Sequence, residues 1–430
     1  MQLPVPFTSE FKAATIALIT LTALAMGEVP RLKLNRAGIA MIGAGLMLLA
    51  GVLTFDQAER TIDLGTLVLL FSMMVINAVL ELAGFFTWIG EKVIERAHAP
   101  LTLLALVVFT AGALSTLFLN DPVCIMLTPL VCGVVLHLGR KPEPYLIALA
   151  CAANVGSVAT ITGNPQNIVI GASSGIGYVQ WLIRLGPVAL VGLAIVFGVI
   201  WLLYPQEFRN QRSVDAKAGS QPLTTSTIPA AGTLMPRAQA EVMIYILTLR
   251  KSLVVIILML IAFLAGVNIT TAAFVAACVI LISRRFESAR ILALVDWPLL
   301  VMFGGLFVVT GALELTGVSV RLFDLVKPFM LGGMLPLAAA TTLLSNIISN
   351  VPAVLLLRPM MAQFPDPTQA WLTLAAASTL AGNLTLTGSV ANLIVAEQAR
   401  KFNIKLTFGE YLKAGVVITV LTLLAAVMLI

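Results

Sequence analysis

The sequence predicts an all-α polytopic membrane protein built from two inverted-topology repeats, each with a re-entrant hairpin and a broken transmembrane helix. The first observation behind this prediction is composition. The 430 residues are 59% hydrophobic and only 11% charged, whereas soluble proteins carry about 25% charged residues. The second is a set of three polar motifs that recur, in the same order, in the second half of the chain. Because lipid cannot satisfy backbone polar groups, spans in such a chain must be helical.

The repeated motifs define the two units. Each motif has a counterpart about 230 residues later, in apolar runs interrupted by Asn, Gly and Pro. The motifs at 81–84, 120–123 and 160–167 return at 314–317, 350–353 and 385–392. Breaks that recur at matched spacing indicate one structural unit present twice, an arrangement typical of secondary transporters.

The first unit, residues 1–205, begins with apolar runs near 12–30, 36–54 and 62–84, each long enough to cross a bilayer. Charged residues at helical spacing over 85–98 predict an amphipathic helix at the interface. The polar interruptions then predict hairpin arms over 100–119 and 122–138, a broken helix over 143–178 and a final span over 180–204. The two arms fit either one re-entrant hairpin or two full spans.

A polar linker over 206–241, rich in Gly, Ser, Thr and Pro, is predicted to connect the units flexibly. The second unit, residues 242–430, repeats the plan of the first. Its predicted elements are spans near 243–267, 269–283 and 296–317, an interfacial stretch over 319–329, hairpin arms over 334–349 and 352–363, a broken helix over 368–402 and a last span over 410–430.

Basic residues indicate how the units are oriented. Clusters lie after the first span (Arg31, Lys33 and Arg36), in the linker, after the span that ends near 283, and before the last span. Inverted units place all of these clusters on one side. By the positive-inside rule that side is cytoplasmic, so the linker is cytoplasmic and both termini face outward. The predicted location is the cell (inner) membrane, with the lipid bilayer as the surrounding partner.

The hairpin tips and the helix breaks contain the candidate site. A Pro two residues after an Asn suits the first helical turn, so Asn120 and Asn350 are predicted to cap the second hairpin arms. The breaks leave backbone groups unpaired at membrane depth, which is tolerated only beside a polar cavity or other protein. Free N–H groups suit an oxyanion or a hydroxyl-rich solute, and exposed carbonyls suit a small cation. The residues expected to bind substrate are Asn120, Thr162, Gly163, Asn164, Asn167, Ser349, Asn350, Thr387, Gly388, Ser389 and Asn392.

Asp121 is the candidate coupling residue. A carboxylate near the bilayer centre is costly and by default marks a functional site. Its counterpart in the second unit is Val351, so the repeat does not require it. We expect Asp121 to bind the coupling proton or sodium ion; the alternative is an Asp that only caps a helix from an aqueous vestibule. No cofactor and no structural or catalytic metal are predicted.

The paired tips and breaks resemble the ion transporter superfamily, which includes the ArsB arsenite permeases, the NhaD sodium/proton antiporters and the divalent anion:sodium symporters. The tip 120–123 is similar to the ArsB and NhaD branch, and 163–167 follows the superfamily's Gly-x-Pro-x-Asn form. The second break, 388–392, lacks the Pro and is closer to the arsenite permease pattern. The dicarboxylate symporters carry Ser-Asn-Thr at both tips, and only Ser349-Asn350 approaches that motif. The resemblance implies a helical inverted-repeat fold, often a homodimer, with alternating access.

The leading hypothesis is secondary active transport of a small inorganic anion or metalloid, coupled to a proton or sodium gradient. Arsenite or antimonite efflux is the first candidate, because arsenite is a neutral trihydroxy species whose hydroxyls Asn, Ser, Thr and backbone groups can bind. The lack of a deeply placed Arg or Lys argues against a bulky dianion. Sodium/proton antiport and citrate or dicarboxylate transport are the alternatives.

Other classes of function are disfavoured. The chain lacks the residue patterns of intramembrane proteases, and a receptor would not need duplicated helix breaks, so a transporter is favoured over an enzyme. The net charge of +6 arises from short loops, where membrane topology explains it, so nucleic acid is not an expected partner. No nucleotide-binding motif is present in the sequence, and an ATPase would therefore be a separate subunit.

Overall fold

The computed structural model describes residues 9–26, 33–96, 99–209, 239–282, 286–322, 324 and 332–430, and the regular elements in these ranges are helices. Seven of the described helices are long and apolar enough to cross a membrane. The all-α polytopic class predicted from composition is therefore confirmed.

The helices of the first unit follow the predicted order. The hairpin turns at Phe118 and Leu119, and the broken helix is interrupted over 158–164. The helices are Ser9–Met26, Arg36–Leu49, Phe55–Thr61, Leu64–Leu82, Phe85–Arg96, Pro100–Leu117, Asn120–His137, Pro142–Ser157, Pro165–Ser174, Tyr178–Leu203 and Pro205–Arg209.

The second unit presents the equivalent elements in the same order. Its hairpin turns at Ser349, and its broken helix is interrupted over 381–389, partly by the 3₁₀ turn Ala381–Asn383. The α-helices described here are Gln239–Leu264, Ile269–Leu281, Ser288–Leu292, Trp297–Leu315, Met334–Ile348, Asn350–Leu357, Pro367–Leu380, Val390–Arg400 and Phe408–Leu429.

The return arm of the second hairpin differs from the prediction. Its α-helix ends at Leu357, and Arg358–Gln363 form a 3₁₀ helix. Pro359 has no N–H and its ring crowds the preceding turn, which disfavours continuation of the α-helix. The equivalent Pro129 lies inside the continuous helix Asn120–His137, so the two hairpins diverge at the same position.

The predicted linker over 206–241 is helical at both of its described ends. The short helix Pro205–Arg209 enters it, and Gln239–Leu264 begins before it ends. Residues 210–238, and most of the interfacial stretch predicted over 319–329, lie outside the described residues. The division into two units and a linker stays a prediction.

Helices of one half pack on helices of the other half, and these contacts occur in matched pairs. Arg36–Leu49 packs on Trp297–Leu315, and the equivalent helix Ile269–Leu281 packs on Leu64–Leu82. Within each half, the first hairpin arm packs on the helix that precedes the break, and the last helices of the two halves pack on each other. The packing thus follows the sequence repeat, while the inverted orientation of the units stays a prediction.

Close helix approach depends on glycine at two of these contacts. A Cβ on Gly156 would collide with the backbone of Gly112, where the first hairpin arm crosses the broken helix. A Cβ on Gly305 would lie 2.6 Å from the carbonyl carbon of Ala40. Small residues permit this proximity, which membrane helices use because packing rather than hydrophobicity holds them together.

The N-terminal caps of the packed helices are also duplicated. The side chains of Asn35, Asn268, Asp63 and Asp296 each accept a bond from the backbone N–H three residues further on, all at 3.0 Å. Asn35 corresponds to Asn268 and Asp63 to Asp296, at the same spacing that relates Glu81 to Glu314. The repeat therefore extends beyond the three sequence motifs.

Candidate substrate site

Both hairpin tips and both helix breaks converge on one cavity of about 430 Å³. The tips contribute the first turns of the return arms, and the breaks contribute the first turns of the helices that follow them. The residues from these four elements that line the cavity are Asn120, Asp121, Pro165, Gln166, Ile348, Ser349, Asn350, Val351, Pro352, Ser389, Val390 and Leu393. Four helix N-termini therefore meet around one space, where the helix dipoles favour anionic or hydroxyl oxygen atoms. The backbone N–H groups of Asn120 and Asn167 are already bonded, to the carbonyl of Gly163 and to Asn164 Oδ1.

A buried hydrogen-bond network around Asn154 supports the floor of this cavity. The Oδ1 atom of Asn154 accepts from Asn120 Nδ2 at 3.0 Å and from Ser389 Oγ at 3.1 Å. Its Nδ2 atom donates to Asn383 Oδ1 at 2.9 Å and to Asn392 Oδ1 at 3.1 Å. The side chain is 2% exposed, and these four bonds use its full capacity. Asn154 thus joins the first tip to the second break.

Thr379, the equivalent of Asn154 in the second half, makes the reciprocal contacts. Its hydroxyl donates to Asn167 Oδ1 at 3.2 Å and accepts from Asn164 Nδ2 at 3.0 Å. Gln166 Nε2 approaches the same hydroxyl at 3.4 Å. Each half therefore supplies a buried side chain that bonds the break of the other half.

Asn167 and Asn392 satisfy the carbonyl groups that the breaks expose. Asn167 Nδ2 donates to the carbonyl of Ser157 at 2.9 Å and to that of Thr160 at 3.0 Å. Asn392 Nδ2 donates to the equivalent carbonyls, of Gly382 at 2.6 Å and of Thr385 at 3.0 Å. These side-chain amides replace the helical bonds that the breaks remove, as membrane depth requires.

The predicted site residues fall into three groups. On the cavity wall are Asn120, Asp121, Ser349, Asn350 and Ser389. Behind the wall, buried in or beside the amide network, are Thr162, Gly163, Asn164, Asn167, Gly388 and Asn392. Thr387 is exposed and its hydroxyl lies 3.4 Å from that of Thr385, so the structure does not bring it to the cavity.

The prediction that Asn120 and Asn350 cap the return arms is wrong. The N-cap residues are Leu119 and Ser349, and neither makes a side-chain capping bond. The Asn120 side chain instead bonds Asn154, and the Oδ1 atom of Asn350 is buried with no hydrogen-bond partner in the described part of the chain. An unpaired buried polar atom of this kind is costly.

Ser349 turns the second tip with a strained backbone. Its φ of 78° and ψ of 158° lie in a region that is almost exclusive to glycine, at a cost of about 1–3 kcal/mol. Leu119, at the first tip, has φ −58° and ψ 135°, which any residue adopts. Strain is therefore confined to one of the two tips, directly on the cavity wall.

Sequence reasoning missed two charged groups on the wall, Arg36 and Asp296. Arg36 belongs to the first basic cluster of the sequence, and its half-buried side chain lies on the cavity wall. Arg36 begins the helix Arg36–Leu49, and Asp296 caps Trp297–Leu315, the helix packed against it. The match of Asp296 with Asp63 was the sequence signal that could have drawn attention to it.

Side-chain exposure orders the cavity from mouth to floor. Asn35 and Asp296 are exposed, Arg36 and Asp121 are half-buried, and Asn120 is 5% exposed. The carboxylates of Asp121 and Asp296 lie within range of mutual repulsion. The wall thus carries one cationic and two acidic groups above a neutral floor of amides and hydroxyls.

A multi-pass helical protein whose two halves share one cavity, lined by polar and apolar residues at paired helix ends, has the architecture of a membrane transporter. A model of the family described as "CitMHS: Citrate transporter" matches residues 16–381. The chain belongs to this citrate transporter family, within the ion transporter superfamily that the motifs resemble.

Relatives and a solved structure agree with this assignment. The chain is 31% identical to the silicon efflux transporter LSI3 of Oryza sativa subsp. japonica, over 87% of each chain. It is 24% identical to a Dictyostelium discoideum protein named as a transporter, arsB, over 92% of this chain and 87% of that one. The crystal structure of the Alcanivorax borkumensis YdaH transporter covers 98% of this chain and 97% of its own at a TM-score of 0.58 and 15% identity. The last comparison shows a shared fold.

Proposed function

We propose that this protein is a secondary active transporter for a small inorganic anion or uncharged metalloid acid, with arsenite or antimonite efflux as the first candidate. The observation that carries the proposal is the chemistry of the cavity. The amide and hydroxyl residues that line it, Asn120, Ser349, Asn350 and Ser389, suit a neutral polyhydroxy solute. A relative named as a silicon efflux transporter supports a solute of this hydroxylated kind.

The charges on the wall favour a neutral solute over a multivalent anion. Asp121 and Asp296 outnumber Arg36, so the wall is net acidic when both carboxylates are ionised. An anion would have to overcome that field in a low-dielectric site, where charge interactions are strong. A neutral trihydroxy molecule meets no such barrier.

Asp121 is the group we assign to coupling. It lies on the helix that starts at the first tip, next to Asn120, and it has no ion-pair partner in the described ranges. A proton exchanging at this carboxylate as the cavity alternates between the two sides would link solute efflux to proton influx. Inverted units, a cytoplasmic linker and a cavity mouth facing the cytoplasm complete the proposal.

A second candidate, transport of citrate or a related organic anion, is favoured by one observation. Arg36 lies on the cavity wall, and its planar guanidinium suits bidentate contact with a carboxylate. The description of the family points the same way.

Purified protein in liposomes distinguishes the candidates. With an acidic lumen imposed on vesicles in which the mouth faces the bath, we expect arsenite to accumulate and citrate not to. Accumulation of citrate without arsenite would reject the metalloid proposal in favour of the second candidate. If neither solute accumulates although a relative such as the rice transporter is active in the same vesicles, both candidate functions are rejected.

A further inference from the structure

Arg36 and Asp296 both line the cavity, where Asp296 is exposed and Arg36 is half-buried. They begin the two helices Arg36–Leu49 and Trp297–Leu315, which pack on each other. Asn120 lines the same cavity, and Asp296 is close enough to Asp121 for the two carboxylates to repel each other. A charged solute in this cavity therefore experiences the field of both Arg36 and Asp296.

Stability does not account for Arg36 at this position. A cation at a helix N-terminus is opposed by the helix dipole, by about 0.3–1 kcal/mol, and Arg36 has no ion-pair partner in the described part of the chain. Its side chain is half-buried on the cavity wall, where a charge without a partner is costly.

Asp296 uses only one of its two carboxylate oxygens to cap its helix. Its Oδ1 atom caps the helix by accepting from the backbone N–H of Leu299 at 3.0 Å, and its exposed side chain faces the cavity. Asp366 caps Pro367–Leu380 in the same way, accepting from Gln369 at 3.0 Å, but it lies away from the cavity wall. The position of Asp296 is therefore what distinguishes the two caps.

We propose that Arg36 and Asp296 form a charge filter that determines whether anions reach the site. Arg36 attracts anions into the mouth, and Asp296 offsets this attraction, so that neutral solutes enter at least as readily. The inference rests on the proposed function only in taking this cavity as the path of a solute. It assigns specificity to two residues that line the cavity without belonging to the tips or the breaks.

The filter can be measured without knowing the transported solute. Val390 lines the cavity and is 42% exposed, so Val390→Cys provides a reporter thiol, with the exposed Cys278 replaced by Ala. The other three cysteines are buried. The reporter is labelled with anionic sulfonatoethyl and neutral methyl methanethiosulfonate. In each case the thiolate attacks the sulfenyl sulfur, a mixed disulfide forms and methanesulfinate leaves. Because one thiol reacts with both reagents, the ratio of the two rates cancels its thiolate fraction.

Removal of the negative charge and removal of the positive charge should shift that ratio in opposite directions. Asp296→Asn, which keeps a capping side chain, should raise the anionic-to-neutral rate ratio about tenfold, and Arg36→Gln should lower it about tenfold. A tenfold change is ~1.4 kcal/mol, the interaction of two unit charges at about 12 Å and an effective dielectric constant of about 20. Arg36→Lys should stay near the parent ratio, and the double change should return toward it.

Controls separate the filter from general effects. Asp366→Asn removes an equivalent capping charge away from the wall, and Arg184→Gln removes an exposed arginine on Tyr178–Leu203 that does not line the cavity; both should leave the ratio within twofold. If Asp296→Asn fails to fold, Asp296→Ser retains a capping oxygen and serves instead. Ratios for Asp296→Asn and Arg36→Gln that stay within twofold of the parent, or that move the same way, would overturn the filter. Transport assays of arsenite and citrate can fail independently of this result.

Discussion

Asn154→Ala tests whether the two halves are held together by the buried amide network. The substitution leaves four partners without their bonds: the donors Asn120 Nδ2 and Ser389 Oγ, and the acceptors Asn383 Oδ1 and Asn392 Oδ1. A buried polar atom left unpaired costs about 1–3 kcal/mol. At the lower end of that range, four such atoms reduce the free energy of unfolding by about 4 kcal/mol.

The equivalent residue in the other half should be less sensitive. Thr379→Val keeps the side-chain shape and removes one hydroxyl, whose contacts are Asn167, Asn164 and Gln166. Asn164 retains a bond to Ser157 Oγ at 2.9 Å, and the Gln166 contact is long, so the expected loss is about 1–2 kcal/mol. The ordering of the two variants therefore follows from the number of partners each leaves unpaired.

Thermal and denaturant unfolding of the purified protein in detergent micelles measure both losses. The matched control is Thr422→Val, because the buried Thr422 hydroxyl bonds only carbonyls of its own helix, and its removal should cost less than about 1 kcal/mol. If Asn154→Ala were no more destabilising than this control, the network would not hold the halves together. A larger loss for Thr379→Val than for Asn154→Ala would contradict the counting of partners.

Three further outcomes are expected. Ser349→Gly should raise the unfolding midpoint by the equivalent of about 1 kcal/mol, because glycine adopts the strained tip conformation without penalty; a lower midpoint would show that the Ser349 side chain contributes more than the strain costs. Gly156→Ala should prevent accumulation of folded protein, whereas Gly45→Ala, where a Cβ meets nothing within 4 Å, should be tolerated; equal expression of the two would refute the close helix contact. Asp121→Asn should retain the fold and solute exchange in proteoliposomes but lose accumulation driven by an imposed ion gradient, and full accumulation with unchanged pH dependence would move coupling to another residue.

The sequence predicted those features of the fold that depend on local chemistry. Apolar length located the spans, and the Pro and Gly positions located both tips and both breaks to within a few residues. These features were accessible because lipid imposes the same rule on every segment: backbone groups are either bonded within a helix or placed beside something polar.

The sequence did not predict the partners of the polar side chains. Asn120 was assigned to its own helix as a cap, because capping is the bond available within a few residues. In the structure the partner of the Asn120 side chain is Asn154, 34 residues away. A local sequence pattern contains no information about so distant a partner. Thr387 was included by symmetry with Thr162, yet only Thr162 is buried.

Arg36 shows why charge patterns mislead at short helices. The positive-inside rule counts basic residues in loops as topology signals. Arg36 begins a helix of 14 residues, and its side chain lines the cavity. A residue counted as a topology signal can then line the site.

The amide network has a consequence for how the chain is made. Asn392 lies 238 residues after Asn154 in the chain. At a synthesis rate of about 5–20 residues per second, Asn392 is therefore made roughly 10–50 seconds after Asn154. Three of the four partners of Asn154, namely Asn383, Ser389 and Asn392, belong to the second half. The Asn154 side chain therefore gains its full set of bonds only after the second half has been synthesised.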